Sequence, residues 1–561
     1  MRRLRTAAVL PGKMRSMHGW NRLTAFLLFV VAIPAAADCS RGGTAPIADL
    51  RAGVVAENGS VTVDGIVTGV FLGRNRLGGF YLQDDRQPPS GLFVYAPRLG
   101  PGNLRPGQRV QVEGRFVRFH GRPQVSRIDT IRDCGYAGRA EPVAVRLPED
   151  AGRLDALQGV KVRFPDALTV TGNYELGRYG SLRLSSGGRL LRTGAPGSGA
   201  NAHADRQIVL DDGSYRAEPD PIPYLDAQGT RRLGDTVQGL TGILTHAFGA
   251  HRLHPTREPS FIAANPRPEP PPAAPAPLRV STLNVENYFL TLGQRGARSQ
   301  AELQRQRGKL AAVVRGLDAD VLALTEVENR REALTDLVRQ INRGLPQGQR
   351  YAAVAHPDSG TDAIQVALLY RPERLDLVMT AADVDPVHNR APVLGWFRAS
   401  AGGPLLGVAA VHFKAKVGCP DTGDIDRGQG CWNRLRTNQA RSLLEWIDSL
   451  RRDGAPVVIA GDINAYAAED PLDLLRAAGK TNLAGRDLRP SGRYTYVFHG
   501  EAGQLDYLLA APAVAKRVTA AGVWHINADE PPFLGYSGRR PASGPWRSSD
   551  HDPVWVDLHW R

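Results

Sequence analysis

Apolar residues alternate over short runs in the first half of this chain and gather into longer runs, interrupted by helical periods, in the second. Between Thr44 and Gly135 the runs are strand-like. Val61-Thr-Val63 alternates, Gly65 permits a bulge, and Ile66, Thr68 and Val70 resume the alternation. Segments 79–82, 91–95 and 109–117 read as further strands, the last preceded by the turn Arg105-Pro-Gly-Gln108. These short strands predict a small β-barrel over 38–135. Residues 136–265 stay β-like and Gly-rich, with the clearest strands at 159–164, 207–210 and 236–244, and carry no evident chemistry. Residues 266–277, Pro-Arg-Pro-Glu-Pro-Pro-Pro-Ala-Ala-Pro-Ala-Pro, predict a stiff polyproline-like linker and the main domain boundary.

After Leu278 strands alternate with helices. Strands are predicted at 278–284, 320–325, 364–370, 405–411, 456–460, 504–509 and 553–558. Ser299 and Glu302 form a capping-box pattern, followed by an apolar face of Leu310, Val313, Val314 and Leu317. A second helix carries Ala440, Leu443, Leu444, Ile447 and Leu450 on one side. Pro456-Val-Val-Ile-Ala460 is a near-continuous apolar run, which predicts a strand buried on both faces. Two sheets covered outside by helices satisfy this pattern over 278–561, an α/β class region behind an all-β one.

Length and charge refine the picture. A chain of 561 residues is too long for one core. The formal charge is +14, but six basic and no acidic residues fall within 1–37, which leaves +8 on the remainder. That balance suits an anionic partner without identifying one. Residues 1–37 combine a basic region ending at Arg22, the apolar segment 23–33 and Pro34-Ala-Ala-Ala37, which predicts a cleaved export signal. The apolar core is too short to span a membrane, and no other run is long enough. The expected location is therefore secreted and extracellular, with the periplasm as the alternative, and the expected state a monomer. Four cysteines in an exported chain suggest two disulfides. Three pairings exist. Cys39–Cys134 and Cys419–Cys431 keep each bridge within one predicted domain.

Candidate chemistry sits at strand ends, where a rigid sheet holds polar groups in one crevice. Asn284 ends the first strand of the α/β region and Glu326 the second; His412 ends another. Asp462 and Asn464 follow the buried run, Asp506 lies in Leu505-Asp-Tyr507, and Asp550-His551 precedes the last strand. Hard oxygen ligands without cysteine clusters point to Mg²⁺, with Mn²⁺ as an alternative, rather than Zn²⁺. The loop between Cys419 and Cys431 holds Asp421, Asp424 and Asp426, a candidate structural Ca²⁺ loop or a solvated acidic one. Lys414, Lys416, Arg434 and Arg436 flank the strand ends and are candidate phosphate contacts. In the first region, Phe71, Phe80, Tyr81, Phe93, Phe116 and Phe119 lie among Arg74, Arg76, Arg115 and Arg118. They offer either a stacking platform or barrel core.

Longer strings carry a resemblance: His412-Phe-Lys-Ala-Lys416, Gly461-Asp-Ile-Asn-Ala-Tyr-Ala-Ala-Glu-Asp-Pro471, Tyr494-Thr-Tyr-Val-Phe498 and the stretch from Trp524 to Pro531. Residues 278–561 resemble the endonuclease/exonuclease/phosphatase superfamily, and the front half resembles an OB-fold, as in ExeM-type bacterial extracellular nucleases. The resemblance implies a DNase-I-like four-layer α/β/β/α sandwich behind an OB-like region, and divalent-metal-dependent cleavage of DNA; the sequence leaves RNA open as a further substrate. It implies that Glu326 holds the metal with Asn284 and Asp550 nearby, and that His551, oriented by Asp506, activates water. Asp462 and Asn464 would position water and a phosphate oxygen, and His412 would protonate the leaving oxygen or meet the developing charge as imidazolium. The partner of His412 is not evident in the sequence, with Asp362 and Asp358 as the two candidates. Glu286 is either a second candidate metal ligand or a surface residue, and His525 is expected to be structural. Alternatives are another phosphoesterase on the same fold, sphingomyelinase-like or inositol-phosphatase-like, or a non-catalytic nucleic-acid-binding or adhesion protein.

Overall fold

The computed structural model describes residues 39, 43–87, 89–195, 202–273, 278–356, 359–450, 454–485 and 492–560. The expected export signal at 1–37 and Asp358 lie outside them. Strands Ser60–Phe71, Gly79–Gln83, Gly91–Tyr95, Gln108–Phe119 and Arg122–Tyr136 close into a five-stranded barrel, with the fifth strand between the third and the fourth. Antiparallel pairing of Ser60–Ile66 with Arg115–Arg109 completes the closure. The aromatic residues mostly serve this barrel. Phe80 and Phe116 are fully buried in its core, and Phe71 and Tyr81 pack against Ile243 of the next module. Only Phe119 of the six is largely exposed, so of the two readings, stacking platform or barrel core, the set is mainly core. Alternation along a strand sends half its side chains inward. The disulfides Cys39–Cys134 and Cys419–Cys431 are both formed.

Residues 143–262 build a nine-stranded sheet. The run expected as one strand at 236–244 is two, Thr236–Val237 and Thr241–Ala247, separated where Gly239 turns left-handed (φ 58°).

The C-terminal region stacks two six-stranded sheets. One orders Ala352–Ala353, Ile364–Tyr370, Val321–Glu328, Leu278–Tyr288, Val554–Leu558 and Val518–Val523; the other orders Leu375–Ala382, Val393–Ala399, Leu406–His412, Val457–Asp462, Asp506–Ala510 and Thr481–Asn482. Val280, Val321, Val408, Val458, Leu508 and Val556 interdigitate between them, each contributing about 1.5–3 kcal/mol by burial. Helices Gln300–Leu317 and Arg331–Asn342 cover the first sheet, and Asn433–Ser449 and Asp470–Ala477 the second. The result is the four-layer α/β/β/α sandwich. Its register sets up the site. Strand Val457–Asp462 runs parallel to one neighbour and antiparallel to the other, which places His412, Asp462 and Asp506 side by side at the same end.

The proline-rich stretch is no free spacer where it is described. Trp524 Nε1 donates to Pro268 O at 3.4 Å, Arg279 Nη2 to Pro272 O at 2.6 Å, and Arg267 clasps Glu530 at 2.8 and 2.9 Å. The nine-stranded module is joined to the sandwich directly. Leu190–Leu191 pairs in parallel with Glu501–Ala502. Arg189 reaches Asp529 at 2.9 Å and Arg232 reaches Glu530 at 2.5 Å, both carboxylates being fully buried. Buried charges of opposite sign from segments so far apart in sequence make these two regions one body rather than beads on a linker.

Candidate active site

Two strand bulges open the crevice. Pairing between strands Leu278–Tyr288 and Val321–Glu328 shifts register between Asn284 and Tyr288, and the second strand shifts against Ile364–Tyr370 between Leu324 and Val327. Within these bulges Glu286, Asn287 and Glu326 adopt left-handed backbone conformations (φ 52°, 56° and 68°). Such conformations are unfavourable for these residues and concentrate at functional sites. Asn284 Nδ2 donates to Glu326 Oε1 at 3.0 Å and lies 3.4 Å from Asp462 Oδ2, while Asn287 N donates to Glu326 Oε2 at 3.0 Å. Asn284 thus ties the two sheets together across the floor of the crevice.

His551 faces Asp506. Its Nδ1 lies 2.7 Å from Asp506 Oδ2 and 3.8 Å from Asp462 Oδ2, and its ring packs on Tyr496 with centroids 4.6 Å apart. That hydrogen bond assigns the proton to Nδ1 and leaves Nε2 without a partner among the described residues. Burial alone would depress this histidine, yet Asp506, Asp462 and Asp550 together raise it well above its ordinary value. The segment is held from behind: Asn527 Nδ2 donates to His551 O at 2.6 Å, and Asn527 Oδ1 accepts from Ser548 N at 2.8 Å. His525 is structural, as expected, bonded through Nδ1 to Asp552 Oδ2 at 2.9 Å and stacked on Tyr494.

His412 has the opposite surroundings. Its ring nitrogens lie 3.3 and 3.5 Å from Arg390 Nη1, and Nε2 is 3.7 Å from Asp462 Oδ2. Burial first, then Arg390, His551 and Arg295, push it well below the ordinary histidine value. The imidazolium expected at His412 is therefore disfavoured, and the cation on that side is Arg390. Asp362 does not contact His412; it sits 3.9 Å from Arg390 and 3.4 Å from Arg295. Beside it, Gly461 is required: at φ +149° a Cβ there would meet Val411 O at 2.0 Å.

The carboxylates repel one another. Burial and the charge of Asp550 push Glu286 up to about 8 and also raise Glu326; burial and Asp506 push Asp462 up to about 7. Asp506 Oδ1 is buried with no hydrogen-bond partner. Crowded hard oxygen donors with an unpartnered oxygen fit a divalent cation. Asp462, Asp506 and His551 each offer a ligand atom within 4.8 Å of the others. His551 Nδ1 is already spent on Asp506, and Glu326, Glu286 and Asp550 are further carboxylates whose charges act on one another here.

The flanking residues divide. Lys416 is bound to Glu469 and to Gln429 O (2.7 Å), and Arg436 is fully buried, donating to Cys431 O at 2.8 Å. Neither is free for the phosphate contact expected of it. Lys414 is half-buried over the Trp432 ring, and Arg434 is exposed at the start of its helix. Asn464 Nδ2 donates to Phe413 O at 3.1 Å, fixing the chain after His412. In the acidic loop, Asp424 accepts from Arg434 N and Leu435 N, and Asp426 from Gly428 N and Gly430 N. Those carboxylates cap a helix and a turn. Arg390, Tyr496, Asn527 and Asp552 were not singled out as site residues. For Asn527 a signal existed, because it lies in the string from Trp524 to Pro531.

Residues 281–551 match the model of the Endonuclease/Exonuclease/phosphatase family. No curated protein matches the chain. Similar solved structures include an endonuclease/exonuclease/phosphatase from Bacteroides vulgatus, 14% identical, covering 51% of this chain and 99% of its own with a TM-score of 0.35. The human Nocturnin catalytic domain is 18% identical, with 51% and 95% covered and a TM-score of 0.34. A humanized D. rerio TDP2 is 16% identical, with 50% and 97% covered and a TM-score of 0.34.

Proposed function

We propose that this protein is a secreted, divalent-metal-dependent nuclease that hydrolyses DNA phosphodiesters, and RNA as a second substrate, with the N-terminal β modules helping to hold the chain being cut. The observation that carries this reading is the His551–Asp506 pair, fixed at 2.7 Å beside a crowded carboxylate cluster and across the crevice from a histidine paired with a cation. His551 Nε2 takes a proton from the attacking water while Asp506 holds Nδ1–H and steadies the imidazolium that results. Asp462 Oδ2, near both histidines, orients that water. Arg390 and neutral His412 meet the negative charge that builds on the phosphoryl group, with Arg390 as a fixed cation. Glu326, Glu286 and Asp550 would hold Mg²⁺ or Mn²⁺, and a bound cation neutralises charge on the phosphodiester and its leaving oxygen. The carboxylate charge that a cation offsets is part of what raises His551, so His551 should be readier to act as base in the metal-loaded protein.

Two observations support export: the two disulfides and the leader-like sequence at 1–37. Among the described residues no helix is long and apolar enough to cross a membrane.

The test is direct. Purified mature protein is incubated with plasmid, single-stranded DNA, RNA and sphingomyelin, each with Mg²⁺ or EDTA. Metal-dependent loss of DNA is expected; intact DNA under every metal condition refutes the proposal. Turnover of sphingomyelin alone would favour the other phosphoesterase reading.

A further inference from the structure

A cleft of about 1660 Å³ separates the barrel from the nine-stranded module, well above the roughly 300–1,000 Å³ of small-molecule pockets. Its size calls for a polymer. Arg98, Arg115, Arg122 and Arg127 line the barrel wall, and none has a carboxylate partner among the described residues. Arg252 lines the other wall, bound to Asp211 at 2.7 Å and lying over one face of the Phe248 ring at 5.1 Å, which leaves the other face open. Asp129 is the other acid of the lining. The net field is therefore positive.

Aromatic faces interleave with these cations. Tyr95 is 40% exposed, Phe119 49%, Tyr215 64% and Phe248 91%. All four line the cleft, two from each module. Large exposed rings are costly in water and unneeded for either core, since Phe80 and Phe116 already fill the barrel. Guanidinium groups beside open ring faces are the elements that hold unstacked bases and the backbone joining them. Duplex bases have their faces covered, so a double helix would leave the rings unused. A base-free polyanion would use the arginines alone.

We infer that this cleft is a binding site for single-stranded polynucleotide, with Phe119 and Phe248 as base-stacking residues and Arg115, Arg122 and Arg127 following the phosphates. It deepens the nuclease reading by naming the form of strand that the front half grips, and it rests on that reading for its biological purpose, although binding is measured without cleavage. Phe119 and Arg115 belong to the set that the sequence pattern suggested, but four of its six rings are buried, and the ring of Phe248 comes from a module whose sequence carried no sign of chemistry.

The test uses the full chain carrying His551→Ala, in EDTA, with fluorescence anisotropy of a labelled oligo-dT of about twenty nucleotides, a hairpin duplex of equal charge, and heparin as competitor. Oligo-dT should bind at least tenfold tighter than duplex, and Phe119→Ala with Phe248→Ala should weaken oligo-dT by about tenfold or more per ring while leaving duplex binding unaffected. Arg122→Gln with Arg127→Gln should lower affinity and flatten its salt dependence. Equal binding of duplex and oligo-dT, or oligo-dT binding indifferent to both rings, overturns the inference. Heparin binding that falls with the ring substitutions as oligo-dT binding does would also overturn it, in favour of an acidic polysaccharide. If the wild-type protein cuts no DNA but this binding pattern appears, the cleft stands and the nuclease reading falls.

Discussion

The two histidines of the crevice occupy opposite electrostatic halves of one site. His551 is set among Asp506, Asp462 and Asp550 and is raised; His412, on the other side of Asp462, is set against Arg390 and lowered. Both are buried at strand ends, so the difference comes from their neighbours. Titratable groups driven apart by their neighbours in this way mark a functional site with two different roles. The carboxylate-rich half suits a base and a cation; the guanidinium half suits stabilisation of anionic charge. Position at a strand end identified both residues, but only their neighbours separate the roles.

The largest effect should follow removal of the base. His551→Ala is expected to lower turnover by about 10²–10⁴, with the far-ultraviolet circular dichroism and melting temperature of the parent. Near-parental activity in a folded variant would remove His551 from the chemistry. Stability should show the next effect. Arg232→Met leaves Asp529 and Glu530 with fewer partners in a buried cluster, a loss of up to about 3–5 kcal/mol, read by denaturant unfolding. Because this cluster supports the loop that carries Asn527, turnover should fall with it. An unchanged unfolding midpoint would show that the nine-stranded module merely leans on the sandwich.

Metal should act chiefly on the carboxylate half. Glu286 is raised to about 8 and Asp462 to about 7. Between the ordinary carboxylate range near 4 and those values, the folded protein binds more protons than the unfolded chain, so stability falls as pH rises through that window. His551 adds in the same direction, since its raised value gives stability that is present below about 6.5 and lost as pH climbs through the folded value. Metal-free protein should thus melt at a lower temperature at pH 8 than at pH 5. Mg²⁺ should restore more at pH 8, by about 2.7 kcal/mol when it is a hundredfold above its dissociation constant. Equal Mg²⁺ stabilisation at both pH values would argue against a carboxylate site.

Much of this architecture was legible in the sequence. The strand at 364–370 appears where alternation put it, and the run 456–460 is the central strand Val457–Asp462, buried throughout. His551, Asp506, Asn284 and Glu326 were each candidates from their places beside strand ends, and their grouping followed from the family resemblance. What escaped was non-local. Glu286 was a candidate, but its place in the cluster comes from a bulge that breaks the alternation on which strand reading depends. Arg390 lies in a loop whose pattern marks nothing, and its meaning comes only from His412 beside it. Lys416 looked like a phosphate contact until Glu469 claimed it. The joining of the nine-stranded module to the sandwich rests on Arg189 and Arg232 meeting Asp529 and Glu530 across some 300 residues of chain.

The opposition of the two halves is tested most directly by single-turnover pH–rate profiles on one DNA oligonucleotide in Mg²⁺ for the parent, Asp506→Asn and Arg390→Gln. Loss of the Asp506 charge should move the ionisation that governs the base to lower pH, alongside a drop in rate of about 10²–10⁴. Loss of the Arg390 charge should move the ionisation of His412 to higher pH. Shifts in opposite directions are the predicted result; shifts in the same direction, or profiles that coincide with the parent, would contradict it.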